Sequence, residues 1–157
     1  DSCLQWKDDN VMALNNYAYY LSEKGVDLHK AEAMSYKTIK AEPNNGTYLD
    51  TYAWILFMEE RYADAKTYID QALKNRDSTA DNSTVIEHAG DIYYMNGMAD
   101  ESVDFWKKAY TGENQTEVLA WKIKNRQYIT GEELKKRNAS KQKPAATKKS
   151  VRKGKKK

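Results

Sequence analysis

A single cysteine, Cys3, is all the thiol this chain has. That excludes an internal disulfide framework and leaves the redox compartment open. Two prolines and seven glycines in 157 residues are few breakers, which favours a mostly helical chain. No apolar run approaches the ~18 residues of a membrane-spanning helix. The two histidines, His29 and His88, have no cysteine or second histidine at ligand spacing, so neither points to zinc. Neither G-x-x-x-x-G-K-S/T nor G-x-G-x-x-G occurs, so no phosphate cradle is signalled. Adjacent carboxylates such as Glu59-Glu60 and Glu132-Glu133 read as solvated faces, and Cys3 has no histidine near it to activate a nucleophile. The expectation is a chain with no catalytic residue, no cofactor and no metal.

What is present is periodicity. Residues 47–75 hold two helical patterns separated by a break of about two residues. The first places Leu49, Tyr52, Ala53, Leu56 and Phe57 on one stripe, and the second places Tyr62, Ala65, Tyr68, Ile69, Ala72 and Leu73 on another. Both fit a 3.6-residue period and neither fits strand alternation. Two apolar stripes on a short connection make an antiparallel helical hairpin. The same hairpin recurs upstream, with Leu14, Tyr17, Ala18 and Leu21 before Lys24-Gly25, then Ala31, Met34, Thr38 and Ile39. It recurs downstream, with Ile86, Ala89, Gly90 and Tyr93 before Asn96-Gly97, then Ser102, Phe105, Trp106 and Ala109. The small residues of the first helices, Ala18, Ala53 and Gly90, are 35 and 37 residues apart. Those of the second helices, Ala31, Ala65 and Ser102, are 34 and 37 apart. A period near 34 built from helix–turn–helix units is the signature of a repeat array.

These small residues, the Arg61-Tyr62 turn and the Glu42-Pro43-Asn44 that closes the first unit make residues 11–111 resemble tetratricopeptide repeats. The tyrosine-rich, acidic body is similar in style to the tetratricopeptide proteins abundant in bacteria. The resemblance implies an all-α, right-handed solenoid of three hairpins, occupying 11–44, 45–82 and 83–112. Pro43 has no counterpart in the second unit (Arg76-Asp77-Ser78) or the third (Gly112-Glu113-Asn114). Within the units the expected helices run over about 10–23, 28–41, 47–59, 62–75, 83–95 and 99–110, with Asn10 as an N-cap. Residues 1–10 read as the end of a further upstream unit, Leu4-Gln5-Trp6 and Asp8-Asp9-Asn10 matching Ile39-Lys40-Ala41 and Glu42-Pro43-Asn44. The chain then reads as the C-terminal part of a longer array. Segment 113–130 presents Val118, Leu119, Trp121 and Ile123 on one face and Lys122, Lys124, Asn125 and Arg126 on the other, as a terminal capping helix requires. Thr130 and Glu133 form a capping box for one more short helix over 131–137.

Charge divides the chain. All 23 acidic residues precede Lys135, and 12 of the 26 basic ones lie from Lys135 onward. From Asn138 the composition is Lys, Ala, Ser, Thr and Pro, too polar to offset the entropy of ordering, so 131–157 reads as a basic, largely disordered tail. Lys148, Lys149, Arg152, Lys153, Lys155, Lys156 and Lys157 carry most of its charge. Such a run attracts nucleic acid or anionic lipid without specificity, and resembles a bipartite nuclear-import signal.

The resemblance also implies a function. First helices of tetratricopeptide units line a concave groove that receives a peptide or helix from a partner. Here that face would present Asn15 and Tyr19, then Asp50, Trp54 and Met58, then Glu87, Asp91 and Tyr94. Aromatic and methionine side chains supply adaptable contact area, and the acids would favour basic or amide donors on the ligand. The best-known clamp of the family grips a C-terminal carboxylate with Lys, Arg and Asn. The matching positions here carry Asn15, Tyr19, Thr51, Thr84 and His88, with no cation among them, so that ligand is disfavoured. The expectation is a non-catalytic scaffold, with a cytoplasmic location favoured over the cell envelope. The alternative is a protein acting on nucleic acid or an anionic surface through its tail.

Overall fold

The computed structural model describes residues 2–77 and 80–141, with side chains from Asn10 onward. Every regular element among them is helical. Helices α1 (Ser2–Lys24) and α2 (Leu28–Ala41) form the first hairpin, α3 (Gly46–Met58) and α4 (Tyr62–Lys74) the second, and α5 (Ser83–Met95) and α6 (Ala99–Ala109) the third. A 3-10 turn, Gly112–Asn114, leads to α7 (Glu117–Asn125), and α8 covers 131–141.

Residues 25, 60 and 97 end the first helices in the left-handed region, with φ of 68°, 64° and 80°. They repeat the 35- and 37-residue spacing of Ala18, Ala53 and Gly90. Two are glycine, for which this conformation is free, whereas Glu60 adopts it against the cost of its Cβ.

Packing follows the repeat. Ala18, Ala31, Ala53, Ala65 and Ser102 are fully buried where helices cross. Three apolar clusters lie in series. Ala18, Leu21, Ala31 and Ile55 join the first two units, and Leu49, Leu56, Phe57, Ile69, Ala89 and Ile92 join the second and third. Val103, Trp106, Ala109 and Leu119 then seat α7 on α6. Each unit buries its stripe against its neighbours, as solenoids do. In consequence α1, α3 and α5 stand side by side on one face.

Four expectations need correction. Asn10 is not an N-cap, because α1 continues from Ser2 through a stretch with no glycine or proline to stop it. Tyr17 does not join the apolar stripe of α1; it is exposed and stacks on Tyr20 instead. Segment 113–130 is not one helix, because α7 stops where Arg126 turns left-handed, and residues 127–130 are not helical. The tail is not irregular from Asn138. Thr130 accepts the Glu133 N–H at 3.1 Å, as its capping role requires, and α8 then runs to residue 141. Leu134 is buried beneath it and Arg137 lies over the Trp121 ring at 5.3 Å. The named lysines and arginine from Lys148 to Lys157 lie outside the described residues. Among the described residues no helix is long and apolar enough to cross a membrane.

Candidate peptide-binding cleft

The face formed by α1, α3 and α5 is closed at one side by α7, the 128–130 strap and the start of α8, leaving a cleft of about 640 Å³. Tyr19, Glu23 and Lys24 come from α1, and Trp54 and Met58 from α3. Glu87, His88 and Asp91 come from α5, and Val118 and Lys122 from α7. Tyr128, Ile129, Glu132 and Lys135 complete it. The floor is aromatic. Trp54 lies flat on His88, with ring centroids 4.0 Å apart, and on Phe57 at 4.6 Å. Phe57 in turn meets Tyr128 edge-on.

Five of the eight residues expected in the groove, Tyr19, Trp54, Met58, Glu87 and Asp91, line this cleft. The other three do not. Asn15 is buried with its Oδ1 unpartnered. Asp50 is buried beneath the floor, 2.9 Å from His88 Nδ1. Tyr94, although three residues from Asp91 and on the same side of α5, packs on Trp106 of α6 and does not open into the cleft.

The acids are committed within the protein, so the expectation that they await donors from a ligand is corrected. Lys122 Nζ lies 2.8 Å from Glu87 Oε2 and 2.8 Å from Asp91 Oδ1. The Trp106 indole N–H donates to the same Asp91 oxygen at 2.9 Å, and the Asn114 amide donates to Glu87 at 3.1 Å. Lys122, expected on the solvent face of its helix, is 2% exposed. It stands three residues after Leu119 and four after Val118, on the apolar stripe itself, which was the signal that it points inward. Burial pushes the Lys122 ammonium towards the neutral form, but Asp91 and Glu87 outweigh it and hold its pKa above the ordinary lysine value. Burial likewise raises Asp91 against the pull of Lys122. Two donors on one oxygen favour the ionised pair.

His88 behaves similarly. Burial alone would lower its pKa, yet Asp50, together with Asp91 and Glu87, more than compensates and the net direction is upward. A raised folded-state value contributes stability that is complete below the unfolded pKa of ~6.5 and disappears as pH rises through the folded one. Denaturation midpoints should therefore fall between pH 6 and pH 9 more steeply for the native chain than for His88→Gln. Parallel profiles would refute the charged pair.

No family model matches the chain. A tetratricopeptide-repeat-containing protein of Pseudomonas aeruginosa is 35% identical over 66 residues, 42% of this chain and 11% of that relative. The chain thus spans about a tenth of the length of the curated relative it matches. The first tetratricopeptide domain of human RPAP3 superposes with a TM-score of 0.64 at 13% identity, covering 74% of this chain and 89% of that one. The fold is that of a tetratricopeptide domain. A tetratricopeptide domain of Spaghetti, solved bound to an HSP90 peptide, aligns equally well at 13% identity over 75% and 90% of the two chains. The N-terminal domain of a stress-induced protein of C. elegans aligns at a TM-score of 0.58 and 20% identity, over 75% and 94%. Of the clamp positions in this array, Asn15, Thr51 and His88 are buried, and His88 is already paired with Asp50.

Proposed function

We propose that this array is a non-catalytic adaptor that holds a short segment of a partner protein in the cleft between its first helices and its C-terminal cap. One observation carries this reading. A cleft of about 640 Å³, the size of a ligand pocket, opens over Trp54 and Met58 among ionisable side chains. The solved peptide complex of the Spaghetti domain supports the class of ligand. It does not extend to the same peptide, because this chain has no Lys or Arg at the clamp positions and His88 there is committed to Asp50. With Asp50, Glu87 and Asp91 neutralised internally, recognition falls to aromatic and apolar contact, with Glu23, Lys24, Glu132 and Lys135 at the edges.

Selection of a displayed random-peptide library on the full chain tests this. The expected outcome is a family of apolar-centred sequences whose binding falls at least tenfold in Trp54→Ala and is unchanged when residues 142–157 are removed. Peptides that bind Trp54→Ala equally well would end the reading. A second reading rests on the 12 basic residues from Lys135 onward. Under it, salt-sensitive capture of nucleic acid or anionic vesicles would disappear with residues 142–157 while Trp54→Ala left it intact.

A further inference from the structure

On the join between the first and second units, three side chains converge that the cleft does not use. His29 and Glu32 stand one turn apart near the start of α2, and Glu59 follows the last residue of α3. Each offers a ligand atom, and these atoms lie within 4.8 Å of one another. His29 Nδ1 is 3.5 Å from Glu59 Oε2. Against the expectation of a solvated face, the Glu59 side chain is only 8% exposed, and its Oε1 is buried with no hydrogen-bond partner. An unpartnered buried carboxylate oxygen carries a full desolvation cost, which a cation would relieve.

We infer that His29, Glu32 and Glu59 form a binding site for a divalent first-row transition metal, Zn²⁺ being the type ion. One imidazole and two carboxylates suit such a metal, whereas Mg²⁺ and Ca²⁺ take oxygen alone. Three protein ligands leave a position for water. Metal–ligand bonds of ~2.0–2.2 Å bring tetrahedral ligand atoms to ~3.4 Å, so the set must tighten from its present spacing. His29 is free to do this, its side chain being 98% exposed. Arg61 does not block the site. Its Nη1 holds Glu32 Oε1 at 2.6 Å while Nη2 holds Asp64 at 3.1 Å, which leaves the other Glu32 oxygen for the metal. An outer hydrogen bond of this kind orients a ligating carboxylate. Because α2 belongs to the first unit and Glu59 to the second, an ion here would staple the two units together.

The test is calorimetric titration of the chelator-treated full chain with Zn²⁺ and, separately, Mg²⁺. His29→Ala, Glu59→Gln and Cys3→Ser are titrated in parallel, and circular dichroism checks that each variant folds. The expected result is one equivalent of Zn²⁺, binding at least tenfold weaker in His29→Ala and in Glu59→Gln, unchanged in Cys3→Ser, with no response to Mg²⁺. Co²⁺ should give a visible absorption band that His29→Ala abolishes. No saturable Zn²⁺ binding, binding undiminished in His29→Ala, or binding lost through Cys3→Ser would each overturn the site.

Discussion

Asp91→Ala should destabilise the array by about 3–5 kcal/mol, the cost of stranding one member of a buried ion pair. Asp91 is 3% exposed, and one of its oxygens receives both the Lys122 ammonium and the Trp106 indole N–H. Without it, Trp106 keeps a buried unpaired donor and Lys122 retains only Glu87. The comparison that isolates the mechanism is Asp91→Asn combined with Lys122→Met. Here the buried Asp91–Lys122 pair is removed together, Glu87 keeping the Asn114 amide and partial access to solvent, and replacing a buried pair by apolar or neutral groups is often close to neutral. Urea denaturation followed by tryptophan fluorescence would read both. A double variant as unstable as Asp91→Ala would mean that packing, not charge, sets the loss. Because Lys122 also fastens α7 to α5, loss of the pair should loosen the wall of the cleft as well as the fold.

The second large effect is at Gly90. A Cβ there would come 2.4 Å from Trp106 Cδ1 and 2.5 Å from its Nε1, with the Ser102 carbonyl oxygen at 3.1 Å. The indole cannot retreat, since Trp106 is fully buried and its N–H is tied to Asp91. Gly90→Ala should therefore cost about 1–3 kcal/mol through overpacking, even though alanine is the better helix former by about 1 kcal/mol. Shrinking the neighbour should reverse the sign: in a Trp106→Leu background, Gly90→Ala should stabilise. Thermal melts of the four chains of this cycle decide it. A loss of the same size in both backgrounds would show that the ring is not what glycine accommodates.

Gly90 also shows how far the repeat could be read in advance. Its 37-residue distance from Ala53 marks it as a helix-crossing position, and Ala18, Ala31, Ala65 and Ser102 fall likewise at buried crossings. Such positions are legible because helix packing is local: a small residue at a fixed step on an apolar stripe leaves a groove for one neighbour. The boundaries of α2 and α4–α6 follow from the same period and from the residues that break it. Tyr17 was misplaced because a tyrosine can cover a stripe or lie on solvent with equal ease, and period alone does not choose.

The sequence by itself determined the helical class, the three-unit period, the crossing residues and the face on which Tyr19, Trp54 and Met58 would gather. Only the tertiary structure decided what the charges do. Asp50 meets His88 across 38 residues, and Lys122 meets Asp91 and Glu87 across 31 and 35. Those partnerships depend on how far each unit rotates on the last and on where α7 returns over α5. No periodicity encodes that return, because an apolar stripe fixes which side of a helix is buried but not which buried neighbour a charged group will find.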